Sequence, residues 1–210
     1  MIDAFVTQAR LRKRIRPEAR LPLRVAIFGG TFDPIHEAHL TVAREAARAF
    51  ELDQVFLVPA ANPPHKSGAT EAPYEDRYRM VELACEGQQR LVPSRLEEGS
   101  DKSYSIDTVE RLRAKLAPDD KIFFLIGADA FAEIKTWHRW QDLVGAVDFL
   151  VVTRPGHGYE IPPGARVHRL ETLALPVSSS EIREKLAAGL DPPELPPKVL
   201  DYIRARGLYR

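Results

Sequence analysis

The chain is poor in cysteine, has no net charge and contains no long apolar run. Its single cysteine, Cys85, excludes an internal disulfide and is typical of a protein from a reducing cytoplasm. Cys85 lies in an apolar helical pattern, so we expect its thiol to pack in the core. No stretch of about 18 apolar residues is present, so we expect no membrane span. The first residues also lack the apolar centre of a secretory signal.

The charge of the chain is balanced in total and uneven in distribution. Thirty Lys and Arg residues match thirty Asp and Glu residues, so the total charge indicates neither a nucleic-acid nor a membrane partner. Residues 1–24, however, hold seven basic and two acidic residues. We expect residues 1–23 to form a loosely ordered basic extension and residues 24–210 to form one domain. A contact of the extension with another subunit or with nucleic acid is the alternative that stays open.

Apolar runs of strand length alternate with helical patterns after residue 24. The predicted strands are Val25–Phe28, Gln54–Val58, Arg90–Val92, Lys121–Ile126, Val147–Val152 and Arg166–Leu170. The predicted helices are Ala38–Phe50, Tyr74–Glu86, Ser105–Leu116, a broken segment across Asp129–Val144, a helix from the serines at 178–180 to Ala188, and Lys198–Arg206. Because several strands are continuously apolar, the pattern predicts an α/β fold with a doubly wound parallel sheet and a C-terminal helical segment. Ligands of such sheets bind beyond the carboxyl ends of the strands.

The first predicted strand leads into a Gly-Gly turn and then a helix with two histidines. Gly29 and Gly30 let the backbone approach a phosphate, and the helix start supplies unpaired N–H groups and a partial positive charge. His36 and His39 are three residues apart, so their side chains lie on one face of the first turn. The chain has neither the G-x-G-x-x-G fingerprint of dinucleotide-binding folds nor the H-E-x-x-H spacing of zinc proteases. This stretch therefore indicates a binding site for the phosphates of a nucleotide.

Residues 29–40, which read Gly-Gly-Thr-Phe-Asp-Pro-Ile-His-Glu-Ala-His-Leu, resemble the signature of the nucleotidyltransferases with the T/H-x-G-H motif. Five further segments match, in the same order, the family of that superfamily to which the chain is most similar: Asn62–Lys66, Ser103–Thr108, Ile126–Ala130, Trp137–Trp140 and Val177–Arg183. Within the superfamily the chain is most similar to the bacterial nicotinate-nucleotide adenylyltransferases, over residues 24–209. The resemblance implies a Rossmann-like fold and a cytoplasmic enzyme of NAD biosynthesis. Such an enzyme transfers the adenylyl group of ATP to nicotinate mononucleotide and releases pyrophosphate.

The resemblance also implies three groups of site residues. The catalytic group, which acts on the phosphates, consists of His36, His39, Lys66 and Arg183. The residues expected to bind ATP are Gly29, Gly30, Thr31, Phe32, Gly127, Asp129, Ser178, Ser179 and Ile182. The residues expected to bind nicotinate mononucleotide are Asp33, Tyr104, Ser105, Asp107, Trp137 and His138.

These residue types suit adenylyl transfer, because the attacking phosphate is already ionised and needs no strong base. The protein has to position the substrates and stabilise charge, which His, Lys, Arg, Ser and backbone donors can do. We expect Mg²⁺ to arrive on the ATP phosphates, without protein side chains as ligands. The resemblance implies that backbone N–H groups near Ser105 and His138 bind the substituent of the pyridine ring. Such donors favour a carboxylate over a carboxamide, which also needs an acceptor.

Several roles stay open at this point. Ser178 is either a phosphate ligand or the N-cap of a capping box with Glu181, or both. Asp107 either accepts from a ribose hydroxyl or caps a helix, and Asp33 either orients His36 or lies near the metal. Ala38 stands where the family often has glycine, and its methyl group is expected to have a modest effect on the nucleotide.

Two other functions compete with this prediction. Pantetheine-phosphate adenylyltransferase shares the histidine motif and the serine-rich helix start, although the segments around Tyr104 and Trp137 argue against it. A catalytically silent nucleotide-binding module is the alternative from another class. The oligomeric state, monomer or homo-oligomer, is undecided from the sequence.

Overall fold

The structure is a computed structural model that describes residues 20–62, 70–153, 158–172 and 177–210. Lys66 and most of the basic extension, residues 1–19, lie outside the described residues, so their predicted roles stay predictions. The boundary between extension and domain stays a prediction as well. No helix within the described ranges combines the length and apolar character that crossing a bilayer requires.

The described strands form one six-stranded sheet in the order β3-β2-β1-β4-β5-β6, with every neighbouring pair parallel. The strands are β1 Arg24–Gly30, β2 Gln54–Pro59, β3 Leu91–Pro93, β4 Lys121–Gly127, β5 Asp148–Thr153 and β6 Arg166–Glu171. All six lie within one or two residues of the predicted runs. The order is that of a doubly wound Rossmann-like fold, which confirms the predicted fold class.

The helices cover the same segments as the predicted ones, with two differences. They are α1 Glu37–Ala49, α2 Tyr74–Cys85, α3 Ser105–Arg113, α4 Ala128–Ala132, α5 Trp140–Ala146, α6 Ser179–Ala187 and α7 Pro197–Arg206. The predicted helix to Leu116 stops at Arg113, because the N–H groups of Lys115 and Leu116 bond to carbonyls three residues back and tighten the last turn. The broken segment consists of α4, a 3₁₀ turn at Ile134–Thr136 and α5, which are separated where Arg139 adopts a left-handed backbone (φ 51°).

The sheet is covered on both faces, and alternate residues of each strand point to opposite faces. Ala26 of β1 packs on the face of α1, α2, α6 and α7, whereas Val25 and Ile27 pack on the face of α3, α4 and α5. Because the strands are buried on both faces of the sheet, successive residues along them are apolar. Cys85 is a free, buried thiol at the end of α2, as expected, and burial raises its pKa to about 12.

The carboxyl ends of the parallel strands meet at one edge of the sheet. Strands β1 and β4 are neighbours there, and the chain leaves them in opposite directions along the strand order. Such a switch point opens a crevice between the two strand ends. The ends of β1 at Gly30 and β4 at Gly127 therefore flank the place where a ligand is expected.

Candidate active site

The turn after β1 is shaped by one glycine and one phenylalanine. A Cβ at Gly30 would lie 3.0 Å from ring atoms of Phe32, so glycine makes room for that ring. Phe32 itself is buried and has a left-handed backbone (φ 50°), which is uncommon for a bulky residue. A Cβ at Gly29, in contrast, would meet no described atom within 4 Å. The end of β1 is therefore open toward the crevice, while the turn beyond it is packed.

His36 and His39 lie together at the start of α1, where His36 is the N-cap residue. Their rings stack with centroids 3.7 Å apart, and the His39 ring also meets Phe32 edge-on at 5.1 Å. The backbone N–H of His36 donates to Nδ1 of His39 at 3.3 Å. Since Nδ1 of a neutral His39 is thus an acceptor, the ring proton resides on Nε2. The sequence prediction that the two side chains share a face is confirmed.

Both histidines are neutral at physiological pH. Burial lowers the pKa of His36 to about 4, although the charge of Glu194 acts in the opposite direction. Burial also lowers the pKa of His39 well below its ordinary value, and the nearby His36 adds to this shift. Nδ1 of His36 is buried and has no hydrogen-bond partner among the described residues. The pair thus offers N–H donors and no fixed positive charge.

The first backbone N–H group of α1 is already hydrogen-bonded within the protein. The N–H of Glu37 donates to the carbonyl of Glu194 at 2.8 Å, so the loop before α7 takes one of the donors expected to be unpaired at this helix start. Ala38, the next residue, is buried (7% exposed). Its effect on a bound nucleotide stays a prediction.

The start of α6 packs directly against the histidine turn. Ser178 forms the predicted capping box with Glu181, as its hydroxyl accepts from the N–H of Glu181 at 3.2 Å and Glu181 accepts from the N–H of Ser178 at 2.8 Å. The Ser179 hydroxyl donates to the carbonyl of Pro34 at 3.0 Å. Ile182 is fully buried in the core, with neither its side chain nor its backbone exposed. The predicted phosphate contacts of these residues stay predictions.

Arg183 lies one turn into α6 and faces the same turn. Its Nη1 donates to the carbonyl of Asp33 at 2.9 Å, and its Nε donates to the carboxylate of Glu71 at 2.6 Å. The Arg183 side chain is about one-fifth exposed (21%). It is therefore a cation held at the edge of the histidine turn by one backbone oxygen, one carboxylate oxygen and, at 3.4 Å, the hydroxyl oxygen of Ser180.

Asp33 is the centre of the local hydrogen bonding. Its carboxylate, 4% exposed, accepts from the N–H groups of Glu71 at 2.8 Å and Ala72 at 3.1 Å, and from the hydroxyl of Tyr209 at 2.7 Å. These three donors show a role that the sequence analysis did not identify, which is to join the turn to two distant segments. Its predicted contact with nicotinate mononucleotide stays a prediction.

Arg77 of α2 is the buried counter-charge of this region, with 1% of its surface exposed. It donates to the carbonyls of Thr31 at 2.7 Å and Ala72 at 3.1 Å. Burial lowers its pKa, and the charge of Asp33 opposes that shift. In the sequence Arg77 looks like any polar residue of an amphipathic helix, and only its position among buried neighbours distinguishes it.

A second cluster lies at the start of α3. Tyr104, the N-cap residue of α3, stacks on His138 with ring centroids 4.2 Å apart. Trp137 is half-buried and meets Phe124 of β4 edge-on at 6.2 Å. Ser105 is the first residue of α3. The structure therefore brings together the aromatic residues predicted for the pyridine ring, with a tyrosine–histidine stack that the sequence did not indicate.

The remaining predicted residues lie at the same edge of the sheet. Gly127 ends β4 and is the N-cap of α4, and Asp129 is exposed in the first turn of that helix. Asp107 lies in the first turn of α3, 3.8 Å from the guanidinium of Arg139. Asp107 is thus not the N-cap residue of α3, a position that Tyr104 holds. The predicted ribose contacts stay predictions.

The site offers little to a divalent cation. Within the described ranges, no group of three or more His, Cys, Asp or Glu side chains is placed to hold a metal ion. The histidine turn presents imidazole and guanidinium donors, and the Asp33 carboxylate already accepts three hydrogen bonds. Mg²⁺ prefers oxygen ligands, so these residues do not fit direct coordination of it.

A doubly wound sheet with a histidine pair at its switch point defines a nucleotide-binding protein of the nucleotidyltransferase type. In agreement, residues 27–185 match the cytidylyltransferase-like family model. The chain is 62% identical over 187 residues to a "Probable nicotinate-nucleotide adenylyltransferase" of Solibacter usitatus, covering 89% of this chain and 100% of the relative. A protein of the same name from Acidothermus cellulolyticus is 42% identical over 196 residues, covering 89% of this chain and 94% of the relative. The chain belongs to the nicotinate-nucleotide adenylyltransferase family.

The fold is also that of a solved structure. The nicotinic acid mononucleotide adenylyltransferase of Plasmodium falciparum, complexed with NaAD, superposes with a TM-score of 0.73 at 22% sequence identity. The match covers 89% of this chain and 97% of that chain. At this identity the comparison supports the fold alone.

Proposed function

We propose that the protein transfers the adenylyl group of ATP to the 5′-phosphate of nicotinate mononucleotide, giving nicotinate adenine dinucleotide and pyrophosphate in NAD biosynthesis. The observation that carries this proposal is the 62% identity to the Solibacter relative over that relative's full length. The histidine turn and the aromatic cluster at one edge of the sheet supply the chemistry that a two-substrate site needs.

The reaction is a displacement at phosphorus. An oxygen of the mononucleotide phosphate forms a bond to the α-phosphorus of ATP, and the bond from that phosphorus to the bridging oxygen breaks and releases pyrophosphate. The nucleophile is already an anion, so the protein's task is to align the two phosphates and to stabilise the charge that develops. This explains a site without a nucleophilic side chain or a strong base.

The histidine pair is suited to donate hydrogen bonds to the ATP phosphates. Both rings are neutral, and Nε2 of His39 carries a proton, because its Nδ1 accepts from the backbone of His36. A preorganised donor in a desolvated site stabilises a developing anion without reorganising during the reaction. We assign Nε2–H of His39 and the ring of His36 to the transferring phosphoryl group.

Arg183 is suited to clamp the phosphates from the other side. Its guanidinium is always charged and presents several N–H donors in one plane. Two of these donors are used by Asp33 and Glu71, which holds the group at the histidine turn. The Ser178 and Ser179 hydroxyls, at the N-terminus of the same helix, and Lys66 complete the proposed phosphate site. Ser178 can act there while it caps α6.

The aromatic cluster is suited to the pyridine ring of the acceptor. We assign Tyr104, Trp137 and His138 to stacking on that ring, and the backbone N–H groups near Ser105 and His138 to its carboxylate. N–H donors discriminate for the acid, because the NH₂ group of an amide would find no acceptor from them. Gly127 and Asp129, at the end of β4, are assigned to the ATP ribose.

A divalent metal accompanies ATP in reactions of this class, and we propose that it is Mg²⁺ carried on the phosphates. The described residues at the turn do not fit its coordination, which supports a metal that arrives bound to the substrate.

The test is steady-state kinetics with ATP and three acceptors, which are nicotinate mononucleotide, nicotinamide mononucleotide and phosphopantetheine. We expect pyrophosphate release with the first acceptor and a kcat/KM at least tenfold lower with the second. Preferred turnover of phosphopantetheine would overturn the assignment in favour of a pantetheine-phosphate adenylyltransferase. ATP binding without pyrophosphate from any acceptor would favour a silent binding module.

A further inference from the structure

Tyr209 lies in the tail after α7 and reaches the turn that carries the histidines. Its hydroxyl donates to Oδ1 of Asp33 at 2.7 Å, and the residue is 8% exposed. Burial and this hydrogen bond raise the pKa of Tyr209 far above its ordinary value, so the phenol stays protonated and remains a donor. The tail thus supplies a permanent partner for a buried carboxylate.

The shape of the tail directs the phenol to Asp33. Gly207 ends α7 in the left-handed region (φ 63°), and the N–H of Leu208 donates to the carbonyl of Ile203 at 3.1 Å. Tyr209 is itself left-handed (φ 60°), a backbone that costs energy for any residue with a large side chain. The hydrogen bond of the Tyr209 hydroxyl to Asp33, together with burial of the ring, therefore has to offset the strain in the Tyr209 backbone.

Asp33 connects Tyr209 to the proposed phosphate site. It lies three residues before His36, in the same turn, and its carbonyl accepts from Arg183. Its carboxylate accepts from the N–H of Glu71, whose side chain in turn accepts from Arg183. A shift of Asp33 would therefore change the distance between Arg183 and the histidine pair.

We propose that Tyr209 is a positioning residue for adenylyl transfer, whose hydroxyl fixes Asp33 and thereby sets the placement of His36 relative to Arg183. This inference rests on the proposed function. Tyr209 acts through Asp33 and is assigned no contact with ATP or with the mononucleotide. Groups that act on a phosphoryl transition state must be placed within a fraction of an ångström, so a small shift lowers kcat more than it raises KM.

The chain contains a matched control on the same C-terminal segment. The hydroxyl of Tyr202 donates to Oδ1 of Asp76 at 2.7 Å, and Asp76 is also buried (5% exposed). Tyr202→Phe and Tyr209→Phe therefore each remove one hydroxyl from one buried aspartate at the same distance. Of these two aspartates, Asp33 is the one that belongs to the histidine turn itself.

The experiment compares both variants with the full-length wild-type protein in pyrophosphate release from ATP and nicotinate mononucleotide. We expect Tyr209→Phe to lower kcat at least tenfold, which corresponds to about 1.4 kcal/mol, with KM for ATP changed less than threefold. Tyr202→Phe should keep kcat within twofold of wild type. Thermal unfolding of both variants measures how much each substitution lowers stability. The assays are run well below the lower of the two unfolding midpoints, so that a decrease in kcat does not result from unfolded protein.

Two results would overturn the positioning role. One is a kcat for Tyr209→Phe within twofold of wild type, and the other is an equal loss in Tyr202→Phe. A wild-type protein that releases no pyrophosphate would instead contradict the proposed function. Crystal structures of the same three proteins would then decide whether Tyr209 positions the phosphate-binding groups: a displacement of Asp33 and of His36 relative to Arg183 in Tyr209→Phe alone supports it, and unchanged positions refute it.

Discussion

The rings of His36 and His39 stack with their centroids 3.7 Å apart, and the backbone N–H of His36 donates to Nδ1 of His39. This hydrogen bond fixes the tautomer of His39, whose proton lies on Nε2. Two stacked imidazolium rings would repel each other, whereas two neutral rings can pack. The pair is therefore prepared to donate hydrogen bonds, and it does not depend on a positive charge of its own.

Loss of the His39 ring should affect turnover far more than folding. We expect His39→Ala to lower kcat roughly a hundredfold or more, because one preorganised donor to the transferring phosphoryl group is removed. The measurement is the steady-state rate of pyrophosphate release, together with thermal unfolding to show that the variant is folded. His168→Ala, which removes an exposed histidine on β6 paired with Asp148, is the control and should keep wild-type turnover. A kcat for His39→Ala close to that of wild type would refute the assigned role.

The buried histidines should make the fold sensitive to mild acid. Unfolded histidine takes up a proton near pH 6.5, whereas native His36 does so only near pH 4. Between these values the unfolded state binds more protons than the native state. The contribution of His36 to the free energy of unfolding is therefore fully present above pH 6.5 and is lost as the pH drops toward 4. The difference between the pKa values of His36 in the unfolded and native states corresponds to about 3 kcal/mol in the free energy of unfolding.

Urea unfolding of wild type and His36→Gln between pH 4.5 and 7.5 tests this. Carboxylates whose pKa is lowered by ion pairs, such as Asp148, lose their stabilising effect in both proteins at still lower pH. The difference between the two proteins therefore isolates the histidine. We expect a shallower pH dependence in the variant, and parallel curves would show that His36 is not the titrating group.

We expect a phosphate of bound ATP to compete with Glu71 for Arg183. The Glu71 carboxylate accepts from Nε of Arg183 at 2.6 Å, and its side chain is about half exposed (53%), so the ion pair is weak and exchangeable. We expect Glu71→Gln to lower the KM for ATP about two- to fivefold and Arg183→Gln to raise it. Glu86→Gln, which breaks an exposed pair with Lys198, is the control. Weaker ATP binding in Glu71→Gln would mean that the placement of Arg183 by Glu71 matters more than any competition with the phosphate.

Removal of Mg²⁺ should stop the reaction without affecting the protein. Because the described site residues do not fit the metal, we expect EDTA to abolish pyrophosphate release and added MgCl₂ to restore it. The unfolding temperature without ATP should be the same with and without EDTA. A drop in that temperature would reveal a resident metal and contradict the proposal that Mg²⁺ arrives with the substrate.

The sequence predicted those features of the fold and of the site that depend on periodicity and on local motifs. Continuous apolar runs such as Val25–Phe28 predicted buried parallel strands, and the capping box between Ser178 and Glu181 was readable from their spacing. The histidine pair was readable because residues at i and i+3 share a helix face whatever surrounds them. These features depend on neighbours within about one helical turn.

The sequence was uninformative where distant segments meet. Tyr209 and Asp33 are 176 positions apart, and no local pattern links a tail tyrosine to the turn after the first strand. Arg77 has the same limitation, because burial of an arginine depends on carbonyls from other segments. The roles predicted for individual site residues came from the family resemblance, and kinetics of the variants must test them.

The stack of Tyr104 on His138 restricts where a pyridine ring can bind. Their ring centroids are 4.2 Å apart, which leaves no space between them for a third ring. A pyridine ring must therefore replace one partner of the stack or pack on its outer face. We expect the pyridine ring to take the place of Tyr104 or to pack on the outer face of His138, so that His138 contributes to acceptor binding and not to ATP binding.

We therefore expect His138→Ala to lower kcat/KM for nicotinate mononucleotide about tenfold, the loss of one aromatic contact of about 1.4 kcal/mol, while the KM for ATP stays within twofold. Trp140→Phe, which changes a half-buried ring on the following helix, should leave both parameters near wild type. Intrinsic fluorescence gives an independent measurement, since a ligand next to Trp137 should quench emission in wild type at lower mononucleotide concentrations than in His138→Ala. An equal rise of both KM values would show that His138 supports the whole edge of the sheet and does not select the acceptor.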